Sequence, residues 1–152
     1  MIKLIVSGWD LSAGMRKSLE NALSESTSYS GVISVAVCSS HEVAQLNRDY
    51  AGIDSSTDVL SFSYVETTPP HDTESETALG DIAISREHII EQAKKAGTDK
   101  ATEFVLLLVH GSLHIFGFDH QDEDGRIEMD VCQRDIVEGL GLTYRHFGWV
   151  DE

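Results

Sequence analysis

Cysteine is scarce in this chain. Cys38 and Cys132 are the two in 152 residues, far apart and in no CxxC spacing. That excludes a disulfide scaffold and leads us to expect a reducing, cytoplasmic setting. Proline is equally rare, and Pro69 and Pro70 are adjacent. Long apolar runs are missing too. The longest, Phe104 to Val109, is far below the roughly 18 residues a membrane span needs. The N-terminal MIKLIVSGWD lacks a signal-peptide core and cleavage site. Positive charge is the largest deficit: 11 Lys and Arg stand against 26 Asp and Glu, a net charge of −15. A protein that coats nucleic acid broadly gains its affinity by displacing counterions from phosphates and is basic. General polyanion binding is therefore excluded, although a local basic cleft is not.

What is present is enough for one soluble domain over 1–152, with 41% apolar residues to build a core. Strands and helices alternate. Lys3–Val6 is a short apolar strand. Leu11, Met15, Leu19 and Leu23 recur at spacing four and mark a helix over Asp10–Ser24. Val32–Val37 reads as a buried strand, and Ser40 caps a helix running to Tyr50. Asp54–Thr57 reads as a turn, and Asp58–Tyr64 alternates as a half-buried strand. Glu66–Thr77, with both prolines and four acids, is expected to be a mobile surface loop carrying a solvated His71. A strand over Gly80–Ser85 follows, then a helix from Arg86 to Lys95 that stops at Gly97. Asp99 starts a helix apolar on every side, as a helix buried all round would be. A last amphipathic helix covers about Glu123 to Leu140 and ends at Gly139 and Gly141. Strands separated by helices imply an α+β domain, a small mixed sheet packed with helices around a buried central helix.

The chemistry is concentrated in His110-Gly-Ser-Leu-His114-Ile-Phe-Gly117-Phe-Asp-His120. On a helix, positions i and i+4 face the same way with Cβ atoms about 5–6 Å apart. His110 and His114 can thus close on one ion at roughly 2.0–2.1 Å. Gly117 lets the chain turn back, which would bring His120 over the helix end as a third ligand. Three imidazoles with an open position form the pattern of catalytic zinc. Nickel or another divalent ion stays open, because imidazole alone selects weakly. The offsets match the metalloprotease HExxHxxGxxH pattern, but Gly111 stands where the general-base Glu belongs. Without that group, typically worth ~10²–10⁴-fold, peptide hydrolysis is disfavoured.

HGSLHIFGFDH resembles the HGxLHxxGxDH signature of the bacterial YbeY family of rRNA maturation ribonucleases. Thr57-Asp-Val-Leu-Ser-Phe62 is similar to that family's TDVLSF block, and Leu79-Gly-Asp-Ile82 to its LGDI block. The resemblance spans about Val37 to Leu142. It implies a zincin-like α+β fold, one zinc ion bound by His110, His114 and His120, and metal-dependent endonuclease activity on single-stranded RNA. It further implies a role in maturing the 3′ end of small-subunit rRNA and in ribosome quality control, with ribosomal RNA and ribosome-associated proteins as partners. Beside His114 as a catalytic residue, Asp81 would orient a ligand or water, or else pair structurally at its strand. Asp58 would hold a turn, and Asp119 would hydrogen-bond a ligand histidine or simply be solvated. Ala51 stands where the family usually carries a phosphate-gripping Arg, for which Arg48 would substitute only if its helix presents it to the cleft. Lys94, Lys95 and Lys100 form either a basic edge or a solvated helix end. Two other functions fit the same residues: a zinc-containing ribosome-assembly factor with weak or no catalysis, and a metal-dependent hydrolase of another substrate.

Overall fold

The computed structural model describes residues 1–50, 54–55, 59–65, 68–118 and 122–144. Its elements run β1 (Ile2–Ser7), α1 (Ala13–Glu25), β2 (Gly31–Cys38), α2 (Ser40–Asp49), β3 (Asp54–Ser55) and β4 (Val59–Ser63). After a 3-10 turn at Pro70–Asp72 come β5 (Ala78–Ser85), α3 (Arg86–Ala96), α4 (Lys100–Ile115) and α5 (Glu123–Gly139). The strands form one sheet in the order β1-β2-β5-β4-β3. β1, β2 and β5 are parallel, and β4 and β3 join antiparallel. This is the mixed α+β sheet that the alternation of patterns implies.

Strand alternation sorts the two faces. Ile2, Leu4, Ile33, Val35, Val37, Val59, Ile82 and Ile84 share one core with α4. Leu60 and Ala83 project to the other face, where Val43 of α2 covers them. That second cover explains why β4 is not half-exposed: Val59, Leu60 and Ser61 are all buried. At β1, the amide groups of Ile2 and Leu4 donate to Ser24 Oγ and Glu20 Oε2 of α1. Side chains of α1 thus satisfy an edge strand that would otherwise offer unpaired donors.

Helix boundaries follow side-chain caps. Ser12 accepts from the Met15 amide and opens α1. α2 is capped by Ser39, not Ser40: Ser39 and Glu42 form a reciprocal capping box, one residue earlier than the sequence suggests. Asp99 accepts from the Thr102 amide and opens α4, and Gly97 follows the end of α3. From Thr102 to Ile115 every residue of α4 is buried, as a helix apolar on all sides requires.

Two readings need correction. Asp54–Ser55 is not a turn but a two-residue strand, paired with Ser61 and Leu60. The loop before β5 is fastened in its described part. Thr73 is buried, accepts from the Ser30 amide and donates to the Pro70 carbonyl, and the Tyr29 hydroxyl reaches the carbonyls of Val65 and Thr68. Composition alone does not show these long-range bonds. His71 is exposed beside Asp72, as expected.

Candidate metal centre

His110 and His114 lie in the last two turns of α4 and are 0% and 7% exposed. Their rings meet edge to face, 4.7 Å between centroids, and their Nε2 atoms are 3.2 Å apart. Two nitrogens bound to one tetrahedral ion at roughly 2.0–2.1 Å would lie about 3.3 Å from each other. The pair thus has the separation of two ligands on one coordination edge.

The helix can present them this way because of Gly111. A Cβ there would lie 2.9 Å from both Ile82 Cδ1 and Ser61 Oγ. α4 therefore rests directly on β4 and β5 at that residue, and the neighbouring His110 is turned about 100° round the helix toward α5. A Glu at this position, where the metalloprotease pattern has it, would face the sheet.

His110 Nδ1 is 2.5 Å from Gln133 Oε1, a buried contact. Gln133 Nε2 donates to the Tyr144 hydroxyl at 3.3 Å, which donates to Asp130 Oδ1 at 2.5 Å. Arg134 closes the set, bridging to Asp130 Oδ2 at 3.3 Å and lying 5.6 Å from the centre of the Tyr144 ring. Burial and the Asp130 carboxylate push the Tyr144 phenol far above its ordinary range, so it stays protonated at neutral pH. Sequence reasoning missed Gln133. Its signal was present: it is the polar member of the buried α5 stripe Met129, Gln133, Ile136 and Val137, and a buried amide needs partners.

α4 ends as expected. The Phe118 amide bonds to the Leu113 carbonyl and the Gly117 amide to that of His114, with Gly117 at φ +105°. This is the paired closure in which a glycine takes the left-handed position and reverses the chain. His120 and Asp119 lie just beyond, outside the described residues, as do Ala51 and Asp58. Among the described residues no three His, Cys, Asp or Glu side chains converge as a metal-binding set. The two histidines present fit an ion in donor type and spacing.

Asp81 is not brought to this pair. Its neighbours Gly80 and Ile82 face α4, against Ile115 and Gly111 respectively, so the period of two turns Asp81 to the opposite face. There it borders a groove with Phe62, Ala83 and Leu46 and accepts a hydrogen bond from the Tyr64 hydroxyl. That bond holds the Tyr64 phenol up at about 12. The side chain that meets His110 Nδ1 is Gln133. Arg48 is exposed near the end of α2, and α2 covers the sheet face opposite α4. Lys95 pairs with Glu91 one turn back, as on a solvated helix end.

Residues 5–141 match the family model described as Endoribonuclease YbeY. Similar proteins of that name include one from Lachnoclostridium phytofermentans, 33% identical over 85% of this chain and 87% of its own length. Another, from Bacillus velezensis, is 32% identical over 94% and 97%. A third, from Halalkalibacterium halodurans, is 40% identical over 73% of each chain. The solution structure of a Thermotoga maritima protein superimposes with a TM-score of 0.61 at 24% identity, covering 92% of this chain and 89% of that one, a likeness of fold. With a model match over most of its length and relatives of this similarity, the chain belongs to the Endoribonuclease YbeY family.

Proposed function

We propose that this endoribonuclease cleaves single-stranded RNA with the help of one divalent ion, zinc, held by His110, His114 and His120, and that the whole chain 1–152 is its catalytic domain. Its place of action is the cytoplasm, in maturation of the 3′ end of small-subunit rRNA and in ribosome quality control, with ribosomal RNA and ribosome-associated proteins as partners. The observation that supports the metal reading best is the 3.2 Å approach of the two Nε2 atoms, with His110 held from behind by Gln133. Such an ion supplies Lewis acidity and lowers the pKa of a water it holds toward about 7. The chain's own part is to hold the ligands in a dry setting. α4 is buried to its last turn, and His114 is the more exposed of the pair, the side from which RNA would arrive. No helix among the described residues is long and apolar enough to cross a membrane.

The test is a metal-loaded sample on single-stranded RNA beside a His114→Ala control. Elemental analysis should give about one ion per chain, lost on replacing any of the three histidines, because affinity falls with ligand count. Metal-dependent RNA turnover absent from the control supports the reading. Wild type without metal after mild purification, or full metal content in a triple histidine variant, refutes it. The charge of −15 favours a second reading, an assembly factor whose main work is binding. A metal-loaded protein that binds its RNA without cutting it would select that one.

A further inference from the structure

We propose that Gln133 and Tyr144 are positioning residues, which lock His110 into the tautomer protonated at Nδ1 and so aim an unprotonated Nε2 at the ion. The inference rests on the reading that His110 is a metal ligand. It extends that reading to a hydrogen-bond relay that runs across α5 and has a direction.

The direction is set at the far end. An ionised carboxylate only accepts, so Asp130 requires the Tyr144 hydroxyl to donate. That hydroxyl has one proton, so toward Gln133 it can only accept. The Gln133 amide must therefore turn its NH₂ to Tyr144 and its carbonyl oxygen to His110. Facing an acceptor at 2.5 Å, His110 Nδ1 carries the proton, and in the neutral ring Nε2 then does not. An amide is nearly symmetric in shape, and its orientation follows from its partners. Without Tyr144, either end of Gln133 could face His110, and one of the two orientations places the proton on Nε2. Arg134, pairing with Asp130 and lying over the Tyr144 ring, keeps the carboxylate in place. Gln133 and His110 are 2% and 0% exposed, so water does not offer a replacement partner at their contact.

Three variants test the relay: Tyr144→Phe, Gln133→Leu, and Gln133→Glu placed in the Tyr144→Phe background. Long-range ¹H–¹⁵N correlation spectra of the metal-free protein report the His110 tautomer directly, and competition with a chromophoric chelator reports zinc affinity. Wild type should show the Nδ1–H form. Tyr144→Phe, which removes only the hydroxyl that fixes Gln133, should mix the tautomers and weaken zinc binding about 10-fold, and Gln133→Leu should weaken it by about 10–100-fold, the range for second-layer partners of ligand histidines. Gln133→Glu should restore affinity to Tyr144→Phe, because a carboxylate has no donor orientation. If Gln133→Leu does not fold, Tyr144→Phe and its rescue still decide. Wild-type tautomer and wild-type affinity in Tyr144→Phe would overturn the relay while leaving the metal reading intact. Wild type that keeps the Nδ1–H form but binds no zinc would overturn the metal reading and with it the purpose of the relay.

Discussion

At Gly111 the missing side chain matters more than the backbone. Alanine there gains about 1 kcal/mol of helix propensity and loses about 1–3 kcal/mol to overpacking, since its Cβ would press on the movable ends of Ile82 and Ser61. The expected net effect of Gly111→Ala is a loss of about 0–2 kcal/mol. Gly111→Glu has nearly the same propensity as alanine but adds a carboxylate to a buried seam that offers it no water. Chemical denaturation should therefore rank wild type at or above Gly111→Ala, and Gly111→Glu far below both. A stably folded Gly111→Glu would mean that α4 does not rest on the sheet at this residue. The outcome also bears on the metalloprotease comparison, because restoring the Glu of that pattern would damage the fold rather than supply a general base.

Among the elements, the start of α3 is joined to the start of α2. Glu87 accepts from the Ser40 amide and hydroxyl and from the Ser85 hydroxyl, and these bonds hold its carboxyl down at about 2, from an ordinary 4.5. The folded pKa lies below the unfolded one. Its contribution to stability is thus complete above the unfolded value and lost as pH falls through the folded one. Glu87→Gln should lower the urea midpoint most at about pH 6, with the gap to wild type closing as the pH approaches about 2. A gap that stays constant over that window would show that the ionised form is not what the serines hold.

For the whole molecule, the packing of α4 predicts a core that forms without the proposed ion. α4 packs on β4, β5, α3 and α5 and buries every residue from Thr102 to Ile115. Chelation should lower the melting temperature while leaving far-UV helicity nearly unchanged, unlike a zinc finger, which unfolds without metal. An ion present at 100 times its dissociation constant adds about 2.7 kcal/mol. At roughly 2–4 °C per kcal/mol for a chain of this size, the shift on stripping should be about 5–11 °C. Differential scanning calorimetry with circular dichroism before and after chelation checks both parts. Collapse of the helical signal would make the ion structural.

The elements and the histidine spacing were legible in the sequence because both are local. Spacing four in α1, the apolar run of α4 and the His110–His114 offset follow from helix geometry alone. So does the reversal at Gly117, where a residue without Cβ takes a positive φ. Nonlocal pairings decided the rest. Asp81 lies in a motif block that resembles a functional one, yet which face it occupies depends on which face of β5 receives α4, a matter of sheet order and register. Asp54–Ser55 became a strand because β4 lay beside it to pair with. Gln133 is 23 residues from His110 along the chain, and only the packing of α5 on α4 makes it the partner of that ring. A hydrogen bond across such a distance leaves no periodic trace in a sequence. This one exists because the packing of α5 on α4 buries both groups and brings each within reach of the other.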